Sequence, residues 1–328
     1  GDDMRHFPPR LGETSAPFAV LNAGKRSIAL DLKDPDQRAA LRPLIERADI
    51  LVEQFRPGVM AKLGLGYDAV RAINPRIIYC SITGFGQAGP RAQEAGHDLN
   101  YAAVSGLLSL SPGTAASPTV PPMLAADIGG GSLPAVLNIL LALRRRDATG
   151  EGMHLDIAMS DAMFTFAWYG LAQGHATGRF PGAGENFLAG GSPRYGLYAT
   201  RDGRFLAVGA LEEKFWETFC SALDLPDDLR DDGRDPAATR AAIAERIAAR
   251  DADEWHRRLA PLDCCCTVVA SLDEAVRDPH FAARGLMAAT AQTPDGRVIP
   301  LAAVPIDPQL RRARNEPRPV PALKPLSQ

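Results

Sequence analysis

The sequence predicts an α/β fold: a Rossmann-like large domain built on a parallel sheet, then a smaller α+β domain. Three observations carry that prediction. Short apolar runs alternate with helix-period segments through the first half of the chain, the pattern of strands joined by helical crossovers. Past Ala176 the pattern changes to glycine-rich loop, hairpin and helices. The 328 residues are 46% hydrophobic and 23% charged, which is a folded composition with room for two domains. The expected division is 1–185 for the large domain, 186–304 for the small one and 305–328 for an extended C-terminal tail.

Residues 1–26 read as loop, with Pro8, Pro9 and Pro17. Residues 27–32 alternate as a strand, and Asp34-Pro35 opens a helix to about Ala48 with Leu41, Leu44 and Ile45 on one face. Residues 50–53 form a second strand, broken by Arg56-Pro57-Gly58. A helix over 67–73 leads to a third strand over 77–82. Residues 101–110 and 128–146 read as helices, and 154–158 as a strand feeding another apolar helix. Gly178, Gly182, Gly184, Gly190 and Gly191 mark a long loop over 177–198. A hairpin follows, turning at Asp202-Gly203. Helices are expected at 213–223, 236–249, 252–260 and 272–276, then a strand pair within 286–304 turning at Pro294-Asp295-Gly296. The proline-rich tail from Pro317 is expected to run extended over a surface. A doubly wound sheet usually opens with a strand close to its start. Here the first strand arrives only at Ser27, so the first strand–helix–strand unit is expected to be missing.

Net charge is −3, which argues against a broad basic surface and a nucleic-acid partner. The apolar run 133–143 is shorter than a bilayer requires, and the acidic start Gly1-Asp2-Asp3 is unlike a signal peptide. No membrane partner is expected. Five cysteines, three of them consecutive (Cys264, Cys265, Cys266), make neither a disulfide framework nor a CxxC metal site. They read as reduced, buried, small apolar residues in a cytoplasmic or similarly reducing location. No metal site is expected.

The stretch Gly96-His97-Asp98-Leu99-Asn100-Tyr101 places a histidine in an α/β loop directly before a helix, where sites of this fold class lie. Histidine beside carboxylate suits proton transfer near neutral pH, although a loop histidine also serves simply as a local hydrogen-bonding group. Asp127 stands before Gly129-Gly130-Gly131 at the start of a long apolar helix. Capping would explain the aspartate alone. Three glycines there cost helix stability and read as room for a ligand to approach the backbone. Glu212 opens another helix, where an acidic first turn is also ordinary, and Glu213 stands ready for the same role. Lys25, Arg26, Lys33 and Arg56 cluster at strand ends and suit an anionic, phosphorylated ligand. No P-loop is present, and the Gly84-Phe85-Gly86 turn is not read as a dinucleotide fingerprint, so nucleotide hydrolysis and NAD chemistry are not expected.

Together the segments resemble the class III CoA-transferase superfamily, most closely its α-methylacyl-CoA racemase branch. The matching pieces are Asn22-Ala23-Gly24-Lys25-Arg26-Ser27, Leu30-Asp31-Leu32-Lys33, Phe55-Arg56-Pro57-Gly58-Val59, Leu63-Gly64-Leu65-Gly66, Ser81-Ile82-Thr83-Gly84-Phe85-Gly86-Gln87, Gly96 to Tyr101, and Asp127 to Gly131. Asp202-Gly203-Arg204, Val208-Gly209-Ala210-Leu211-Glu212, Asp278-Pro279-His280 and Ala283-Arg284-Gly285 complete the set, in family order. The resemblance implies His97 and Asp127 as an acid/base pair, with Glu212 accompanying the histidine. It implies that Leu30, Asp31, Leu32, Lys33, Arg56, Gly96, Asp98, Leu99, Asn100 and Tyr101 lie along the CoA. It implies an interlocked homodimer, a role in lipid metabolism, and no cofactor beyond the CoA of the substrate. Ala189, Arg194 and Gly196 depart from the racemase pattern.

The reaction so implied is epimerisation of 2-methylacyl-CoA thioesters. Neutral His97 serves one face of the α-carbon and Asp127 the other, and a backbone N–H near the glycine run steadies the enolate. The rival is CoA transfer between carboxylic acids through an aspartyl-CoA thioester at Asp127. A third reading is a CoA-binding protein without turnover.

Overall fold

The computed structural model describes residues 1–111, 113–114, 117–311 and 316–324. The fold is mixed α/β with a parallel sheet. Two compact units are present: residues 40–269, and residues 1–39 together with 270–328.

In the larger unit the parallel sheet holds β1 (Ile50–Glu53), β2 (Ile78–Thr83) and β3 (Met153–Ala158), with β2 in the centre. Ile50 pairs with Ile78, and Ile78 with Met153. The crossover from β1 to β2 contains α1 (Tyr67–Ile73). The longer one from β2 to β3 contains α2 (Asp98–Val104), a π-helical segment over Ala125–Ser132, and α3 (Leu133–Thr149). After β3 comes the short α4 (Asp161–Phe166). As the central strand, β2 is covered on both faces, with Ile78, Tyr79, Cys80 and Ser81 all buried. Continuous apolar runs suit such a strand better than alternation does. Helix α3 packs Ala135 and Ala142 onto β2 and β3 beside Leu155 and Ile157. Gly150, at φ +80°, ends α3, and the buried Arg146 ties that end to the sheet floor. The Arg146 guanidinium donates to the carbonyls of Asp49 and Arg76 and pairs with the Asp49 carboxylate at 3.0 Å. The stretch Ala125–Thr149 is long and apolar enough to cross a membrane, yet its small residues are the ones packed on the sheet. Its other face leaves Leu133, Val136, Leu137, Leu140 and Leu141 about half exposed.

The same unit contains an antiparallel sheet, β4 (Tyr195–Ala199), β5 (Phe205–Gly209) and β6 (Cys266–Val268), with β5 central. The hairpin turns at Asp202-Gly203 as expected, with Gly203 at φ +78°. Against it lie α5 (Glu213–Ala222), α6 (Pro236–Ala248) and α7 (Ala252–Leu259). Their core gathers Trp216, Phe219, Leu225, Ile243, Ile247 and Trp255. Sequence reasoning missed β6, because three cysteines conceal a strand start. Cys264 is buried and Cys266 half-buried, but Cys265 is exposed at φ +51°, which corrects the reading of all three as buried.

In the second unit the helix Ala16–Asn22 packs Phe18 and Ala19 against β7 (Ala289–Gln292) and β8 (Val298–Leu301). The tail does not simply cross a surface. Arg318–Pro319 forms β9, which pairs in parallel with β7, and Val320 is buried beside it. The strand pair at 289–301 therefore belongs with the N-terminal helix, not with residues 186–269, and the sequence boundary near 185 falls inside the larger unit. Apolar contacts at Phe18, Ala291, Leu301 and Val320 are the reason. Residues 27–32 also depart from expectation. Among the described residues, their backbone pairing to another segment is the Ala29 N–H donated to the Lys324 carbonyl. Alternating apolar residues make a strand only beside a partner strand, and Ile28 is left exposed. The helix expected over 34–48 is two short ones, Pro35–Ala39 and Arg42–Arg47.

Candidate active site

Parallel sheets bind ligands beyond the carboxyl ends of their strands. There, past Glu53 of β1 and Thr83 of β2, lies a cleft of about 610 Å³. Its lining includes Arg56, Gly84, Gly96, His97, Asn100, Tyr101, Asp127 and Met159. His97 and Asp127, far apart in sequence, thus share one cavity.

His97 directly precedes α2 and is exposed. Its backbone N–H donates to Asn100 Oδ1 at 3.0 Å, and its carbonyl accepts the Asn100 N–H at 2.8 Å. Asparagine three residues on thus fixes the entry to the helix. The loop before it is fixed by Tyr101, whose hydroxyl donates to the Gly96 carbonyl at 2.5 Å. The tyrosine ring stands so close to Gly84 and Gly96 that a side chain at either position would collide with it. Phe85 meets the same ring edge-on. Burial, aided by the nearby Asp127 charge, pushes the Tyr101 phenol above its ordinary range, so it stays a donor at neutral pH.

Asp127 lies in the first turn of the π-helical segment, a form that occurs often at functional sites. Leu124, the residue just before that segment, offers no side-chain cap. Asp98 supplies one from α2: its Oδ1 accepts the N–H of Ala126 at 2.7 Å and of Asp127 at 2.9 Å. Burial pushes the Asp127 carboxyl above the usual carboxylate range, the Asp98 charge adds to that, and His97 pulls the other way. A carboxyl of raised proton affinity thus shares one cleft with a histidine.

The glycine run serves packing. A Cβ on Gly129 would stand 2.7 Å from the Phe166 ring, and one on Gly130 would overlap the Met159 carbonyl. A Cβ on Gly131 would stand 3.1 Å from the Met159 side chain. The N–H groups of Ala126 and Asp127 are committed to Asp98, and that of Ile128 to the Leu124 carbonyl. The expected enolate-stabilising N–H is therefore not one of these three.

Glu212 is exposed at the N-terminus of α5 and does not line the cleft. Glu213, its possible substitute, pairs with Arg194 at 2.8 Å. Arg194 also holds Asp232 and stacks its guanidinium 4.7 Å from the Trp216 ring, so this departure from the racemase pattern is a structural hub. Of the residues expected along CoA, Arg56, Gly96, Asn100 and Tyr101 line the cleft. Arg56 is exposed and has no ion-pair partner among the described residues. Asp98 is half-buried, and Leu99 borders a small apolar pocket beside Met123. Leu30, Asp31, Leu32 and Lys33 belong to the second unit as a turn in which Asp31 Oδ1 accepts the Lys33 N–H at 2.9 Å. Sequence reasoning missed Thr83, Phe55 and Met159 of the cleft lining, which are legible only once β1, β2 and β3 are aligned.

The sequence profile of CoA-transferase family III matches residues 1–324. The chain belongs to that family. The family contains both racemases and CoA-transferases, and relatives of each kind match. The human alpha-methylacyl-CoA racemase is 39% identical over 271 residues, covering 81% of this chain and 70% of the relative. The succinate–glutarate CoA-transferase of Agrobacterium fabrum is 33% identical, covering 98% of this chain and 83% of the relative. Among solved structures, a CAIB/BAIF family protein from Brucella suis superposes with a TM-score of 0.80 at 28% identity, covering 97% of this chain and 85% of that one. The protein is accordingly an enzyme of the family's kind, a racemase-like isomerase or a class III CoA-transferase.

Proposed function

We propose that the protein epimerises 2-methylacyl-CoA thioesters. The observation that carries this reading is the presence of His97 and Asp127 in one cleft, with the proton affinity of Asp127 raised by burial. The α-proton of a thioester is weakly acidic, so its removal needs a base in contact and a donor for the opposite face. Neutral His97 takes the proton from one epimer and protonated Asp127 delivers to the other face; in the reverse direction the roles exchange. Arg56, which lines the cleft, suits a CoA phosphate. CoA arrives as part of the substrate, and the mechanism uses no other cofactor. The homodimer belongs to this reading. The exposed apolar residues of α3 offer a face for a second copy, and Leu137→Glu with Leu141→Glu is expected to lower the mass measured by sedimentation.

The test is NMR of the protein with (R)-2-methylacyl-CoA in D₂O and no acid acceptor. Deuterium entering at the α-carbon, with the S epimer appearing, supports epimerisation. No exchange sinks it and favours the second reading, CoA transfer. For that, one observation speaks: Asp127 lines the cleft, and a carboxylate can attack a thioester as a nucleophile. Hydroxylamine would then trap an adduct at Asp127 when acyl-CoA and an acceptor acid are present. Binding of acyl-CoA with neither outcome would leave a non-catalytic CoA-binding protein.

A further inference from the structure

A group that passes a proton must be held in place, and Asp127 sits where its own helix provides no cap. The hold comes from Asp98. One carboxylate oxygen accepts two consecutive N–H groups, those of Ala126 and Asp127 itself. Asp98 also directly follows His97 in the chain and opens α2. A single peptide unit therefore connects His97 to the group that grips the Asp127 backbone.

We infer that Asp98 is a positioning residue that clamps the π-helical segment to the His97 loop and so fixes His97 and Asp127 relative to each other. The inference deepens the acid/base reading and rests on it. The geometry is specific. The Asp98 oxygen is spent on the protein's own N–H groups, so it is not open to a donor on the ligand. Charge-assisted bonds of this kind are stronger than neutral ones and restrict the backbone accordingly. A second consequence is electrostatic. The Asp98 charge opposes ionisation of its neighbour, adding to the effect of burial on Asp127. One side chain that need not touch the substrate thus fixes position and adds to the raised proton affinity that burial gives Asp127.

Two variants of the full chain separate the effects. Asp98→Ala removes both acceptor and charge, whereas Asp98→Asn keeps an acceptor oxygen and removes the charge. Each is followed in two ways: kcat and KM for α-proton exchange in D₂O, and ¹³C NMR titration of the Asp127 carboxyl, assigned by its loss in Asp127→Asn. The expected result for Asp98→Ala is a kcat at least about tenfold lower, with KM within about threefold. Asp98→Asn is expected to recover most of kcat, while Asp127 titrates at lower pH than in the unmodified protein. An unchanged kcat in Asp98→Ala would overturn the positioning role. So would an Asp127 titration that neither variant moves. Should Asp98→Ala fail to fold, the Asn variant decides. Should the unmodified protein show no α-proton exchange, the epimerase reading fails, and the titration still decides the role of Asp98.

Discussion

Two groups of carboxylates in the larger unit are held in opposite ways. Around the parallel sheet, Asp127 faces a cleft without an ion-pair partner among the described residues, and its proton affinity is raised. Beside the antiparallel sheet, the Arg201 guanidinium holds Asp251 below the usual carboxylate range, and the Thr200 hydroxyl does the same for Asp202. Arg194 similarly gathers Glu213 and Asp232, and Arg258 pairs with Asp224. The second arrangement favours the charged form and so supports the fold at neutral pH. The first works against ionisation and is the one a proton-transfer step requires. Charge near β5 is structural; charge near β2 is poised.

The largest effect that would break this contrast is catalytic. His97→Ala or Asp127→Ala is expected to lower turnover by at least about 10², the usual loss on removing a general acid or base, with the far-ultraviolet spectrum unchanged. Near-normal exchange in either variant would remove that residue from the reaction. Next comes packing beneath the site. Gly130→Ala drives a methyl into the Met159 carbonyl and is expected to cost about 1–3 kcal/mol, read as a fall in Tm. A Tm equal to the unmodified protein's would show that the segment relaxes without cost.

The acid limb of stability sharpens the comparison. Asp251 and Asp202 have folded-state affinities for the proton below their unfolded ones. Their contribution is present above the unfolded carboxylate range and is lost as pH falls through the folded one. Asp251→Asn should therefore lower Tm at neutral pH and make no difference in strong acid. The smallest effect has the opposite sign. Asp127 binds its proton more tightly when folded, so its ionisation costs stability as pH rises. Asp127→Asn is expected to raise Tm at neutral pH by about 1–2 °C, small because water screens a partly buried group. The gain should vanish where both states are protonated. A fall in Tm at neutral pH would contradict it.

Much of the site was legible in the sequence because its chemistry is local. His97 before a helix and Asp127 at the head of another stood out as catalytic candidates, and the fold brings both to one cleft. What failed depended on long-range neighbours. Residues 27–32 have strand alternation but no neighbouring strand among the described residues, and β6 hides among cysteines whose role only β5 reveals. The glycine run announced an unusual helix start, but the atoms that demand it, the Met159 carbonyl and the Phe166 ring, come from the β3–α4 connection and α4 itself. Asp98 was read as a ligand contact because its true partners are 28 and 29 residues away.

The glycines at 129–131 have a further bearing, on how this chain can change its substrate. Because they answer to Met159 and Phe166 and not to a ligand, an experimenter randomising this helix start would recover glycine at 130 whichever substrate was selected. Variation would survive at Leu124 and Ile128 instead, whose side chains are more than half exposed on either side of Asp127. A library placed at those two positions would leave the packed scaffold intact.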